Sequence, residues 1–516
     1  MNSPYPTFYL PHHPVVREVS TTSKVRPVFD ASAVSYNGVS LNHCLEVGPP
    51  LNPQLVEVLM WFRRWKVALT GDITKAFLQI NVRKEDRDVH RFLWNYNGNI
   101  RIMRFTRVPF GSKSSPFLLN ATVKHHLKSF PDSEVIAEPK DNLYVDDWLS
   151  GADSAEEAFA KFDEARSVLS KASMTLSKWS SNCNALKDRF DVYLEPSKHA
   201  ETKILGLQWC LTRDSFSFDC LELKDLEVAS TKRAVLSVIS KLFDPLGLLC
   251  PVILMAKIMF QDIWRLGLSW DEILPTELQH RFQKWVQNIK VLNTWQVNRC
   301  YFPELVWNKL QNVELHAFGD ASEKGYGACA YLRVPDNDRS FKVILVLAKG
   351  RVAPIKKLLV PRLELMGALL CARLSVFVKT SLHLIDVQMY CWTDSKVALS
   401  WIKGDPNRWK TFVANRVTEI QSLIPPVQWK HIPGKDNPAD LISRRAFAED
   451  LISCTLWLNG PAWLSEHFTP MQQDEVPAAL PIVEEVFPDS PVTCLVSQHP
   501  SVGIDYARWG SFYKSY

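Results

Sequence analysis

The sequence predicts a multidomain chain of mixed α/β (α+β) architecture. Three observations carry that expectation. At 516 residues the chain exceeds one ordinary domain, and three or four domains of roughly 100–200 residues fit it. Two stretches far apart read as apolar strands ending in an aspartate, WKVALTGDI (Trp65 to Ile73) and VELHAFGD (ending at Asp320). Between them lies STKRAVLSVISKLFDPLGLLCPVILMAKIMFQDIW, with apolar residues at three- and four-residue steps and a break at Asp244-Pro245.

Composition narrows the class. Apolar residues make up 46 % and charged residues 22 %, enough to bury full cores. The net charge of +5 permits an anionic partner without identifying one. Eleven cysteines include no Cys-x-x-Cys pair, which speaks against a zinc ribbon, a redox motif or a disulfide framework and for a reducing, intracellular compartment. The first residues, MNSPYPTFYLPHHPVV, lack a signal-peptide plan. The longest apolar run, Leu246 to Ala256, is too short to span a bilayer and reads as a buried helix.

Four regions follow in order. Residues 1–215 mix short strands and helices, 216–311 read as mostly helical, and 312–446 hold strands, a Gly-rich turn and a helix. Residues 447–516, with six prolines from Pro470 to Pro500 among acidic residues, read as a linker.

Nucleotidyl transfer by paired divalent cations needs carboxylates on neighbouring strand ends. Asp72 ends LTGD. Asp146 and Asp147 sit in LYVDDWL, whose apolar flanks predict a hairpin turning at the aspartates. A Tyr-x-Asp-Asp string arises by chance in roughly one chain in twenty of this length, so its company decides. In order, the chain carries KVRPVFDAS (Lys24 to Ser32), LTGDITKAFLQI (Leu69 to Ile80), RVPFGSKSSPFLLN (Arg107 to Asn120), YVDD, LSKWSSN (Leu176 to Asn182) and KILGLQW (Lys203 to Trp209). This series resembles the fingers and palm of reverse transcriptases, and specifically those of the BEL/Pao LTR retrotransposons.

The resemblance implies a right-hand polymerase with fingers, palm and a helical thumb or connection. It implies that Asp72 and Asp146 ligate Mg2+ (Mn2+ as a substitute), with Asp147 completing the cluster. Arg26, and less directly Lys24, would meet the incoming triphosphate, where a guanidinium fork suits phosphate. Phe77 would be a steric gate excluding a 2′-hydroxyl; an ordinary core aromatic is the other reading. Phe110 and Gly111 would lie beside the templating base, where LTR elements often carry Phe-Gly. Lys178 would protonate pyrophosphate or, equally, be a solvated helix lysine.

The third region offers four more carboxylates: Asp320, Glu364 in PRLELMGALLCARL, Asp394 after MYCWT, and Asp440 in HIPGKDNPADLISR. Singly each has a plain structural role, as a turn residue, a solvated helix residue or a helix cap. Together they resemble the Asp-Glu-Asp-Asp order of type 1 ribonuclease H, over Val313 to Arg445, which implies a mixed sheet with flanking helices and a second two-metal site of Asp320, Glu364, Asp394 and Asp440. His431 precedes Pro433 and a short loop, so the family's mobile histidine is not carried over to it. The segment from Leu242 to Trp264 is similar to the BEL/Pao connecting region, and LWLNGPAWL (Leu456 to Leu464) to the family's segment beyond ribonuclease H. No Asp-Thr-Gly or Asp-Ser-Gly triplet occurs, so no aspartic protease site is visible.

The resemblance implies an RNA template, a DNA primer, an RNA–DNA hybrid and deoxynucleoside triphosphates as partners. Protease and integrase parts of a Pol polyprotein would lie outside these residues. It implies a cytoplasmic virus-like particle, or the nucleus, as location, and no membrane. Most of the 18 tryptophans read as packing rather than as base-stacking platforms. A decayed or domesticated nucleic-acid-binding copy is the alternative, and retention of all seven carboxylates weighs against it.

Overall fold

A computed structural model describes residues 6–16, 25–130, 143–186, 201–220, 230–337 and 340–466. Lys24 lies outside them. The chain divides into two compact units, one of residues 1–58 and 65–200, the other of 59–64 and 201–516.

In the first unit, strands β1 (His12–Val16) and β2 (Val25–Phe29) pair antiparallel, as do β4 (Arg91–Tyr96) and β5 (Asn99–Arg104). Short helix α1 (Leu41–Cys44), and α2 (Leu55–Phe62), whose last four residues count with the second unit, precede the central strand β3 (Val67–Ile73). Beyond α3 (Ser115–Leu127), β6 (Leu143–Tyr144), β7 (Asp147–Ala152) and β8 (Leu176–Ser181) complete a sheet of order β6-β7-β3-β8. Helix α4 (Ala155–Lys171) covers it, burying Ala158, Phe162, Ala165, Val168 and Leu169 on one stripe. That is the three- and four-residue spacing of an amphipathic helix. Its start is fixed chemically, because Ser154 accepts from the Glu157 amide at 3.2 Å while Glu157 accepts from the Asp153 amide at 3.3 Å. Trp148, Trp179 and Phe162 meet edge to face beneath the sheet.

Among the described residues the second unit holds two sheets. In the smaller, β9 (Glu201–Ile204), β10 (Leu207–Cys210), β11 (Ser215–Ser217) and β12 (Gln296–Asn298) pair antiparallel in the order β12-β11-β10-β9. The expected domain boundary at 215/216 therefore cuts a sheet, whereas the compact division falls at 200/201. Residues 59–64 join this unit through buried arginines. Arg63 donates to the carbonyls of Arg299 (2.9 Å) and Asn298 (3.0 Å), while Arg299 donates to both oxygens of Asp214 and to the Phe62 carbonyl at 2.8 Å. A bidentate carboxylate and three carbonyls receive these two guanidinium groups, whose charges would otherwise be prohibitive to bury.

Helices α5 (Lys232–Lys241), α6 (Cys250–Arg265) and α7 (Thr276–Ile289) occupy the region expected to be helical. The apolar run Leu246–Ala256 is buried apart from Ile253 and Met255, and among the described residues no helix is long and apolar enough to cross a membrane. Asp244 turns the chain into α6, its carboxylate accepting from the amides of Leu248 (2.9 Å) and Leu249 (2.7 Å). Burial pushes its carboxyl up to about 6, although those amides favour the charged form. The folded protein thus binds a proton that the unfolded chain releases near the ordinary value, so stability falls as pH rises from about 4 to 6 and is level above. Asp244→Asn removes this titration. The stability of the parent relative to that variant is expected to fall by up to about 3 kcal/mol between pH 4 and pH 7. Denaturant unfolding at both pH values measures it, and a pH-independent difference would refute it.

The larger sheet has the order β15-β14-β13-β16-β17, built from β13 (Glu314–Ala321), β14 (Gly325–Asn337), β15 (Ser340–Val352), β16 (Gln388–Thr393) and β17 (Trp429–His431). The first three strands are antiparallel; β16 runs parallel to β13, and β17 to β16. The parallel steps cross over through α8 (Val360–Ser381), then α9 (Lys396–Lys403) and α10 (Thr411–Leu423). Short helices α11 (Asp440–Arg444), α12 (Ala448–Ile452) and α13 (Thr455–Asn459) follow.

Residues 447–466, expected as the start of a linker, are instead part of this unit. Trp457 and Leu464 are fully buried. Tyr331 donates to the Trp457 carbonyl at 2.8 Å, and Arg333 to the carbonyls of Leu464 and Glu466 at 2.7 Å each. The prolines that suggested a linker lie beyond, outside the described residues. Among the described residues seven tryptophans are fully buried, as packing predicts.

Candidate active sites

The first carboxylate cluster is built by strand pairing. Asp72 stands directly opposite Asp147 in the β3–β7 ladder, and the β6–β7 hairpin turns through Val145-Asp146 as predicted. The Asp146 carbonyl accepts from the Ile73 amide at 2.9 Å, which locks the turn onto β3. Val145 has φ +59, a conformation that a β-branched residue adopts only under strain. Lys178 donates to Asp72 Oδ2. It sits on β8, which removes the reading as a helix lysine.

Burial, with Asp72 as a like-charged neighbour, raises the Asp146 carboxyl above its ordinary value. Asp147 is pushed up to about 6 by burial and then by Asp146 and Asp72, against the pull of Lys178. Three half-buried carboxylates face one ammonium group, so the cluster is short of positive charge.

Arg26 is exposed on β2, opposite Val15. Phe77 is 7 % exposed, its ring 4.8 Å from the exposed Phe110 in an edge-on pair. Gly111 has φ +93, and a Cβ there would lie 2.4 Å from the Phe29 carbonyl oxygen, so only glycine lets this loop close on β2. Sequence reading missed Asn42, which donates to the Gly111 carbonyl (3.1 Å) and Ser32 (2.8 Å) and accepts from the Lys113 amide (2.9 Å). An asparagine in a short helix carries no local signal of that role.

The second cluster gathers at the ends of parallel strands. Asp320 lies inside β13 opposite Gly327, buried, and is not a turn residue. Asp394 follows β16, the parallel neighbour of β13. The cap of α9 is Ser395, which accepts from the Ala398 amide at 3.0 Å, so Asp394 is free of the capping role. Glu364 comes from α8. That helix packs on β13 without intervening side chains: a Cβ on Gly367 would be 2.7 Å from the Asp320 carbonyl, and one on Gly319 2.8 Å from the Gly367 carbonyl. Asp440 opens α11 and pairs with Arg444 at 2.6 Å.

Two hydroxyls hold these carboxylates: Ser443 donates to Asp320 and Ser395 to Glu364. Sequence reading missed both. His431, set aside from the sequence, has Nε2 3.2 Å from the Asp394 carbonyl oxygen.

Burial and then Asp394 push the Asp320 carboxyl up to about 8, with Asp440 adding to the rise and Ser443 opposing it. Glu364 and Asp440 are raised as well, chiefly by burial. Among the described residues no three His, Cys, Asp or Glu side chains already enclose a metal-sized space. The oxygen donors and the deficit of positive charge nonetheless fit a divalent cation at each cluster.

Residues 34–208 match the family described as reverse transcriptase (RNA-dependent DNA polymerase). Residues 231–395 match the Pao retrotransposon-like RNaseH-like domain, a span that includes Asp320, Glu364 and Asp394 but ends before Asp440. No curated protein matches the chain. Among solved structures, the foamy viral protease-reverse transcriptase in complex with an RNA/DNA hybrid is similar, with a TM-score of 0.51 and 16 % identity over 83 % of this chain and 50 % of that one. The same viral protein in a dRH form with double-stranded DNA gives 0.52 and 17 % over 82 % and 65 %. At such identity the likeness establishes the fold, and the chain spans half the length of the first of these relatives. The chain thus carries a reverse transcriptase domain over residues 34–208, followed by a Pao retrotransposon-like RNaseH-like domain over residues 231–395.

Proposed function

We propose that the chain is an RNA-directed DNA polymerase that also cleaves the RNA of RNA–DNA hybrids, each activity centred on one carboxylate cluster. The observation that carries this is the separate assembly of the two clusters: Asp72, Asp146 and Asp147 on one hairpin and strand, and Asp320, Glu364, Asp394 and Asp440 around one parallel strand pair. The hybrid and double-stranded DNA held by the foamy viral relatives support nucleic acid as the substrate class.

Asp72, Asp146 and Asp147 would hold Mg2+ in the first site, and Asp320, Glu364, Asp394 and Asp440 in the second, with Mn2+ as a substitute. Bound there, such ions activate the attacking oxygen and stabilise the departing one. The protein's own groups do the rest. Lys178, held by Asp72, presents a proton donor beside the triphosphate, and Arg26 (with Lys24) supplies charge to its phosphates. The loop Phe110-Gly111, clamped by Asn42, sets the floor for the templating base. In the second site Ser443 and Ser395 orient Asp320 and Glu364. Deoxynucleoside triphosphates, a DNA primer and an RNA template are the partners, with protease and integrase parts of a Pol polyprotein in a cytoplasmic particle or the nucleus.

Primer extension on an RNA template with Mg2+, paired with cleavage of a labelled RNA–DNA hybrid, tests the reading. Both activities are expected. Tight nucleic-acid binding with neither would replace it by a domesticated binding protein. Phe77 closes the sugar side of the first site against Phe110. Phe77→Val is expected to raise ribonucleotide incorporation about 10–200-fold relative to deoxynucleotides, the range that one group's worth of pocket shape controls. Unchanged sugar selection in single-nucleotide incorporation would make Phe77 a packing residue only.

A further inference from the structure

Beside the second cluster, in the same unit, lies a cleft of about 360 Å3 between α6, α7 and the segment after α11. Its floor is apolar: Met255 and Met259 from α6 and Phe447. Its rim carries four cationic groups, Arg281, Lys284, Arg444 and Arg445, against one carboxylate, Asp450. Arg281 is spent in part on Asp262 at 3.2 Å, and Arg444 on Asp440 at 2.6 Å. Among the described residues Lys284 and Arg445 have no carboxylate partner. Lys284 instead stands 5.5 Å from the Phe447 ring.

The cleft is braced rather than incidental. The Ala448 amide donates to Asn288 Oδ1 of α7 at 2.6 Å, which fixes the segment carrying Phe447 to the helix carrying Lys284. Arg445 is held at φ +72, a left-handed conformation that a long side chain rarely adopts. Through Arg444 the rim is tied directly to Asp440.

An apolar floor with unneutralised cations at its edge suits a ligand that is flat and greasy at one end and anionic at the other. The volume lies within the ~300–1,000 Å3 of small-molecule sites. A base stacked in a duplex hides its faces, so such a floor serves only a base outside the helix. We propose that this cleft binds one unpaired nucleotide of a strand that continues from the second carboxylate cluster. Its phosphate lies among Lys284, Arg281 and Arg445, and its base on Met255, Met259 and Phe447. The proposal rests on reading that cluster as the hybrid-cleaving site, and it predicts preference for hybrids with a single-stranded tail over blunt ones.

The test uses the full chain and fluorescent RNA–DNA hybrids, blunt or tailed at either end of either strand, with binding read by anisotropy across a salt series. One tail is expected to tighten binding roughly tenfold over blunt. Lys284→Glu and Phe447→Ala are each expected to abolish that gain, and Lys284→Arg to restore it. The salt slope for the tailed hybrid should drop by about one in Lys284→Glu. A 5-iodouridine in the tail should crosslink to Phe447. A parent with no tail preference, or a Lys284→Glu variant that keeps it, overturns the proposal. Failure of the parent to cleave blunt hybrid would instead overturn the ribonuclease reading, leaving the binding ratios interpretable.

Discussion

Asp146→Asn is expected to reduce primer extension by roughly 10³-fold or more, with hybrid cleavage by the same preparation retained. The amide matches the carboxylate in shape, so the change is one of charge and ligand strength. It does not unfold the site. Burial and then the like charge of Asp72 already raise the Asp146 carboxyl, and removing its charge relieves both costs. Thermal stability should therefore hold or rise while activity is lost. That combination separates a catalytic role from a structural one, and parental extension rates in the variant would reject the assignment. Because the two clusters belong to different compact units, the second activity serves as an internal control.

Asp394→Asn is the mirror experiment. Hybrid cleavage should fall by a similar factor with primer extension retained. A pH signature accompanies it. In the metal-free parent Asp320 is pushed up to about 8, first by burial and then by Asp394. Below that pH Asp320 carries a proton that a cation must displace, so affinity for Mg2+ in the second site should rise with pH up to about 8, with proton release on binding. Asp394→Asn removes the neighbouring charge, lowers the Asp320 carboxyl and flattens this dependence. Titration calorimetry in buffers of different ionisation enthalpy reads the proton count directly. Equal proton release in parent and variant would contradict the coupling, whatever the activity does.

The strands that carry the aspartates were legible because their signals are local. An apolar run ending in aspartate, as in LTGD and HAFGD, and an acidic pair between apolar flanks, as in LYVDDWL, state their own strand or hairpin. Helix α8 is likewise visible in its own spacing. What could not be read depends on distant partners. Gln296–Asn298 closes a sheet with Ser215–Ser217, some eighty residues earlier, from a three-residue strand with no pattern. Residues 447–466 look like the start of a linker until Arg333 and Tyr331 are seen holding their carbonyls. Ser443 and Ser395 are ordinary serines in sequence, and only the fold turns their hydroxyls toward Asp320 and Glu364. The carboxylates announce the chemistry, while the groups that aim them are set by tertiary structure.

The six residues 59–64 have a consequence for how the protein is made. Arg63 is synthesised before its carbonyl acceptors at Asn298 and Arg299, the latter 236 positions later. At ~5–20 residues per second the nascent guanidinium waits roughly 10–50 s for its partners. A chain severed between residues 200 and 201 would therefore leave one part with a stray basic hexapeptide and the other without the arginine that its carbonyls at Asn298 and Arg299 receive.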